Sequence, residues 1–271
     1  MITIITSTYN AVAHLQDAIK SIREQSFRRF EWIIIDGAST DGTLKILHDN
    51  EDVIDRWISE PDRGIYDAWN KGLALAHGEW ILFMGADDEL AAPDVLQLAA
   101  QKLGNLDDGV HWAYGNVRQF GTNGRSQLLG EPWAEARKNF TSGMSVPHQG
   151  VFHRRSLFDR CGWFNPAYRI AGDYALLLRA FRSGFEPYYL TLLVAHMGGG
   201  GVSSRPEMTL VTIREFIVAR REAGIRPACS LECWWGYCKA IVKFGLALAL
   251  GATLLRKLVN AYRYLTRRPM L

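Results

Sequence analysis

Cysteine is scarce: Cys161, Cys229, Cys233 and Cys238 are the 4 in 271 residues, and no two form a C-x-x-C pair. A chain of this length needs no disulfide staples, so reduced thiols in the cytosol are expected. Strong charge of one sign is also missing. The net charge is +3 and the pI about 8.7, too mild to point to nucleic acid, and no nucleic-acid partner is expected. No G-x-G-x-x-G follows the first apolar run and no G-x-x-x-x-G-K-S/T occurs, so a nucleotide here would be held by side chains and a metal rather than by a glycine cradle. Met1-Ile2-Thr3-Ile4-Ile5 has no basic n-region, and no signal peptide is expected. There is no internal repeat, and Gly198 to Gly201 is the sole low-complexity tract. What is present is ordinary for an ordered globular protein: 48% hydrophobic and 22% charged residues.

The apolar runs set the architecture. Ile2 to Ser7, Glu31 to Ile35, Val53 to Ser59 and Trp80 to Met84 read as strands buried on both faces. Between them, Ala11 to Gln25, Leu44 to Asp49 and Ile65 to His77 read as helices, the last with Gly78 as its stop. Strand alternating with helix predicts a parallel α/β sheet with right-handed crossovers. Three of the strands end in polar clusters: Thr8-Tyr9-Asn10, Asp36 to Thr43, and Asp87-Asp88. Loops at the carboxyl edge of such a sheet share one crevice, where ligands bind. Asp87 and Asp88 suit a hard divalent cation with phosphate oxygens, and equally an Asx-turn that caps the next helix.

Further on, Pro93 to Leu103 is expected to be a helix with Pro93 in its first turn, and His111 to Val117 a strand. Arg118 to Met144 reads as an irregular acceptor-side loop. Ser145 to Phe152 reads as a strand on which His148 and Gln149 either contact an acceptor sugar or satisfy loop backbone. Asp173 opens an amphipathic helix through Leu176, Leu177, Ala180 and Phe181, where the helix dipole alone would favour a carboxylate. Leu190 to Ala195 is a strand that leads to His196, which reads either as a metal or diphosphate ligand or as a satisfied loop residue. The glycine run after it suits a loop that closes over a ligand. Glu207 to Ala223 is a helix. Trp234 to Leu265 is apolar, with aromatic residues at one end and Arg256, Lys257, Arg263, Arg267 and Arg268 toward the other. Its uncharged stretch, Phe244 to Leu255, is shorter than the roughly 20 residues that span a bilayer. It fits an interfacial helix, or a helix that packs in the core or forms a dimer.

Thr8-Tyr9-Asn10, Asp36-Gly37-Ala38-Ser39-Thr40-Asp41-Gly42-Thr43, Asp87-Asp88 and Gly172-Asp173-Tyr174-Ala175-Leu176-Leu177-Leu178-Arg179 together resemble the family-2 glycosyltransferases. Enzymes that build bacterial exopolysaccharides of the colanic-acid type are the most similar. The resemblance implies the glycosyltransferase-A fold: a Rossmann-like, mostly parallel sheet flanked by helices, with a C-terminal helical extension. It divides the chain into a donor half (1–115), an acceptor and catalytic half (116–205), and a helical, membrane-interfacial segment (206–271). It implies that Thr8, Tyr9, Asn10, Asp36, Ser39, Asp41, Arg63, Lys71 and Asp87 line the nucleotide-sugar site. It implies that Asp88, with Asp87 and His196 beside it, takes Mn²⁺ or Mg²⁺. Asp173 matches the catalytic base, although Gly172 stands where the family usually has Glu, and Ala86 stands at the first position of a strict D-x-D. The implied reaction is a single inverting displacement from a nucleotide-sugar to a lipid-linked saccharide at the cytoplasmic face of the inner membrane. A nucleotidyltransferase would instead need a basic triphosphate loop after the first strand. A non-catalytic nucleotide-sugar-binding subunit would not need Asp87, Asp88 and Asp173 together.

Overall fold

The computed structural model describes residues 1–121, 125–198 and 208–226. The anticipated C-terminal segment from Trp234 to Leu271, three of the four cysteines and Gly199 to Gly201 lie outside the described residues. In chain order the elements begin β1 (Ile2–Thr8), α1 (Leu15–Arg23), β2 (Phe30–Asp36), α2 (Thr43–His48), β3 (Arg56–Ser59), α3 (Ile65–Leu75) and β4 (Trp80–Gly85). They continue β5 (Asp88–Leu90), α4 (Val95–Leu103), β6 (Trp112–Phe120), β7 (Ser126–Leu129) and α5 (Trp133–Phe140). A 3₁₀ turn at His148–Gly150 precedes β8 (Val151–Arg154), α6 (Arg155–Cys161), α7 (Gly172–Arg182), β9 (Tyr188–Met197) and α8 (Thr209–Glu222).

The strands form a 9-stranded sheet in the order β3-β2-β1-β4-β8-β6-β9-β5, with β7 hydrogen-bonded to β6. From β3 to β4 every pairing is parallel. Beyond β4 the sheet is mixed: β8 runs antiparallel to β4 and β6, whereas β6 and β9 are parallel. Alternate residues of the parallel strands feed two cores. Ile5, Ile33, Ile35, Ile81 and Phe83 pack under α3, α6 and α7, and Ile4, Trp32, Ile34, Leu82 and Met84 under α1 and α4. Both faces are covered, which is why these strands read as continuous apolar runs instead of alternating ones. On α1 the buried Leu15, Ala18, Ile19 and Ile22 follow the helical period.

Several boundaries differ from expectation. β3 begins at Arg56, because Val53 and Ile54 turn back to bond the Asn50 carbonyl. α4 begins at Val95, two residues after Pro93. Arg118 to Met144 is not an irregular loop: β6 runs on to Phe120 and pairs antiparallel with β7, and α5 follows. The 3₁₀ turn replaces the first part of the strand expected at Ser145 to Phe152.

Candidate active site

Strand register brings the polar strand ends into one row. Thr8 pairs with Asp36, Asp36 with Ser59, and Ser7 with Gly85. The row is stapled through Asp36, which has no solvent exposure. Its Oδ1 accepts the Thr8 hydroxyl at 2.8 Å and the Ser39 hydroxyl at 2.5 Å. Its Oδ2 accepts the Ser59 hydroxyl at 2.7 Å and the Ser39 amide at 2.8 Å. Four donors fill this carboxylate, so Asp36 shapes the loop and offers no free oxygen to a ligand.

The next turn is tied in the same way. Asn10 sits at φ 48°, a backbone conformation that Asn tolerates. Its Oδ1 accepts the Thr40 amide, and its own amide donates to the Ser39 hydroxyl. Asp41 accepts the Thr43 hydroxyl and amide on one oxygen and the Val12 amide on the other. The Thr43 hydroxyl above all holds Asp41 below the usual carboxylate range. Tyr9 projects into solvent, 70% exposed. Beside it lies Asp62, which the resemblance places with Arg63 and Gly64 along the donor pocket: a Cβ on Gly37 would fall 2.8 Å from Asp62 Oδ2 and 3.4 Å from the Tyr9 ring. Ser59, unanticipated, ends an unremarkable strand and shows its role only through register.

Arg63 and Lys71 already have anionic partners. Arg63 is exposed and pairs with Asp67 at 2.9 Å. Lys71 pairs with Glu60 at 2.7 Å and donates to the Pro61 carbonyl at 3.0 Å, pinning the loop before α3.

At the end of β4, Asp87 is exposed and Asp88 is buried, 2% accessible. Asp88 Oδ2 accepts the Gly85 amide at 2.7 Å. Among the described residues Asp88 Oδ1 is buried with no hydrogen-bond partner. Burial first, and the Asp87 charge second, push the Asp88 carboxyl up to about 7. Both carboxylates fold back over Gly85, where a Cβ would lie 2.9 Å from Asp87 Oδ1 and 3.0 Å from Asp88 Oδ2. Gly198 closes on the same place, 3.3 Å from Asp87 Oδ2 by the same measure. A buried anionic oxygen without a donor, beside a second exposed carboxylate and glycine backbone, fits a hard divalent cation that also takes ligand and water oxygens. Among the described residues no three His, Cys, Asp or Glu side chains gather into a metal cluster, so this chain's share of such a site is the Asp pair.

His196 is not brought to that pair. It stands opposite Glu89 in the β5–β9 ladder, one residue out of step with Asp88, which faces Met197. Cross-strand partners share a sheet face and successive residues alternate, so His196 lies on the face away from Asp88. Its ring packs edge-on against Phe120 at 5.4 Å. His148 is likewise displaced from the expected acceptor site. It is buried in an aromatic cluster, stacked on Trp69 at 5.0 Å and next to Phe83 and His153. Burial pushes it down to about 3, so it is a neutral core residue. Gln149 follows in the same 3₁₀ turn, partly exposed.

Asp173 lies in the first turn of α7. Its Oδ1 accepts the Tyr174 amide at 2.8 Å and faces the Tyr66 hydroxyl at 3.1 Å. Burial pushes its carboxyl up to about 6. The segment before it is clamped by Glu215 of α8, whose carboxylate accepts the amides of Arg169, Ile170 and Ala171 at 2.7, 2.8 and 2.9 Å. Because Tyr66 is in the first turn of α3, which follows the β3 end after a short loop, it ties Asp173 to the edge that carries the other site residues.

The profile of the glycosyl transferase family 2 matches residues 3–158. A "PGL/p-HBAD biosynthesis glycosyltransferase" of Mycobacterium bovis is 34% identical over 211 residues, 75% of this chain and 79% of that protein. Two solved structures share the fold at low identity. The mannosyltransferase PcManGT of Pyrobaculum calidifontis, in complex with GDP-Man and Mn²⁺, superposes with a TM-score of 0.65 at 19% identity, covering 97% of this chain and 79% of that one. S. aureus TarS 1-349, in complex with UDP-GlcNAc, gives 0.62 at 20% identity, with 97% and 84% covered. The chain spans 47% of the longer TarS chain.

Proposed function

This chain belongs to glycosyl transferase family 2, and on that premise we propose that it moves a sugar from a nucleoside-diphosphate donor to a saccharide hydroxyl, with inversion. The observation that carries this reading is the Asp88 carboxylate: buried just beyond the β4 end, with one oxygen that has no donor among the described residues. Asp88 and Asp87 would hold Mn²⁺ or Mg²⁺. When bound, that cation supplies positive charge that neutralises the departing diphosphate. Thr8, Asp36, Ser39, Asn10 and Asp41 build a rigid rim for the nucleoside, and Tyr9 offers it an exposed ring.

Asp173 is the base. Held near 6, its carboxylate is ionised at neutral pH and still basic enough to accept a proton from a hydroxyl whose acidity rises as the new bond forms. The acceptor oxygen bonds to the anomeric carbon while the carbon–phosphate oxygen bond breaks. The acceptor proton passes to Asp173, and the diphosphate leaves with the bonding pair. The PcManGT and TarS complexes support a nucleotide-sugar donor, and PcManGT a Mn²⁺ site. The name of the mycobacterial relative supports a biosynthetic role. We place that role in bacterial surface polysaccharide assembly on a lipid-linked acceptor.

Nucleoside diphosphate release from UDP- and GDP-sugars, measured with Mn²⁺ and with EDTA, tests the reading. The Asp173→Asn variant should abolish transfer and leave donor affinity nearly intact. An equal loss of donor binding would remove Asp173 as the base, and turnover unchanged by EDTA would remove the cation.

Among the described residues no helix is long and apolar enough to cross a membrane. The sequence from Trp234 to Leu271 nevertheless joins aromatic and basic residues to an apolar centre, which supports peripheral contact with anionic lipid at the cytoplasmic face. High salt should strip part of the protein from membranes and detergent the rest. Full-length protein that stays wholly soluble at low salt would refute that contact.

A further inference from the structure

Resting on the reading of Asp173 as the base, we propose that Tyr66 is its positioning residue and that Gly172 is glycine to admit the Tyr66 ring. Three observations converge. First, the Tyr66 hydroxyl donates to the Ile170 carbonyl at 2.5 Å and stands 3.1 Å from Asp173 Oδ1, touching the backbone and the carboxylate of one short segment. Second, a Cβ on Gly172 would meet three atoms of the Tyr66 ring at 2.8 to 2.9 Å. No side chain at 172 can coexist with Tyr66 where it is, because all three contacts fall on a rigid ring held by its own neighbours. Third, those neighbours fix the ring firmly. It stacks on Phe164 at 5.6 Å and meets Trp69 edge-on at 5.5 Å. Asn70 of the same helix clasps the Phe164 amide and carbonyl, which ties α3 to the segment before α7.

The arrangement divides the labour of the carboxylate. The Tyr174 amide and the Tyr66 hydroxyl both fall on Oδ1. Oδ2 is the oxygen left to take the acceptor proton. The Tyr66 hydroxyl suits both protonation states. It shares its proton between the Ile170 carbonyl and Oδ1 of the ionised carboxylate, and it keeps its bond to Ile170 once Oδ2 has taken the acceptor proton, with Oδ1 still an acceptor. Burial, followed by the Asp173 charge, holds the Tyr66 phenol well above its usual range, so it stays a donor throughout the working pH. The Glu215 carboxylate, which clamps the backbone before Asp173, opposes its ionisation by charge repulsion.

Tyr66→Phe keeps the ring contacts and removes the hydroxyl. The ¹³C-carboxyl titration of Asp173, assigned with Asp173→Asn, requires no substrate. Turnover is read with whichever of UDP-GlcNAc and GDP-mannose supports diphosphate release in Mn²⁺. The expected result is a folded Tyr66→Phe protein in which Asp173 titrates at higher pH, because the lost donor favoured the ionised form. Its kcat should fall roughly ten- to a hundredfold, with KM for the donor unchanged. Gly172→Ala should reproduce the kcat loss if it folds. An unshifted titration, or a shifted one with wild-type kcat, overturns the inference. An inactive Asp173→Asn beside a normal Tyr66→Phe overturns the inference alone. A fully active Asp173→Asn overturns the base assignment and the inference with it.

Discussion

At the scale of single residues, Asp88 and His148 show that burial decides chemistry more than residue type does. Asp88→Asn should lower turnover at least about a hundredfold, because a neutral amide holds a cation poorly. The same substitution should raise the melting temperature of the metal-free protein at pH 8. The folded Asp88 carboxyl is raised to about 7, so its contribution to stability is present below the unfolded value and is lost as pH rises through 7. At pH 5 the folded carboxyl is already protonated, and the variant should gain little. A gain that is equal at both pH values would contradict the burial of an ionised group. For His148 the ring matters and the titration does not. His148→Phe should keep wild-type turnover, since its contacts are with Trp69 and Phe83. His148→Ala should cost about 3–5 kcal/mol in denaturant unfolding, as for other large buried rings. A turnover loss in the Phe variant at full stability would restore an acceptor-binding role.

Among the elements, α8 reaches the site through a side chain that clamps the start of α7. Glu215 holds three consecutive amides, and α8 also receives the Tyr168 hydroxyl on Glu222 at 2.8 Å. Glu215→Ala leaves those amides without their charged acceptor, at about 1.5–3 kcal/mol for hydrogen bonds to charge. It should lower kcat more than donor affinity, because the clamped segment carries Asp173 and not the nucleoside rim. Donor affinity that falls as far as kcat would mean that α8 serves the whole molecule. The parallel half was legible in the sequence because β1, β2 and β4 are apolar runs with no competing period, whereas the short, half-exposed β3 was legible only at its end. The mixed half was not. β7 is a short edge strand with little apolar signal, and α5 announces itself only by Trp133, Ala136 and Phe140 at helical spacing after Pro132. Of the candidate site, the sequence marks the carboxylates at or just beyond a strand end, Asp36 and Asp88. Tyr66 and Glu215 were hidden because their partners are 107 and about 45 residues away in sequence. His148 and His196 were misplaced because a polar residue near a strand says nothing about which face it takes.

For the whole molecule, the site lies where one row of strand ends meets two helix starts, so ligand binding should be felt in global stability. A ligand present at 100 times its dissociation constant adds about 2.7 kcal/mol to the folded state. For a chain of this size that corresponds to roughly 5–10 °C in melting temperature. MnCl₂ with UDP or GDP is the simplest probe, since it needs neither the donor sugar nor the acceptor to be known. The rise should be large at pH 8, where Asp88 is ionised and its free oxygen is costly to leave unpaired. It should shrink at pH 5.5, because a cation must then displace the proton that the buried carboxyl has taken up. The nucleotide alone should give a smaller rise than nucleotide with Mn²⁺, and Asp88→Asn should erase the difference. The Asp173→Asn variant should keep the full effect, because Asp173 meets the acceptor rather than the diphosphate. A Mn²⁺-dependent rise of the same size at both pH values, or one retained in Asp88→Asn, would place the cation elsewhere and leave the partnerless oxygen of Asp88 to be explained by the fold alone.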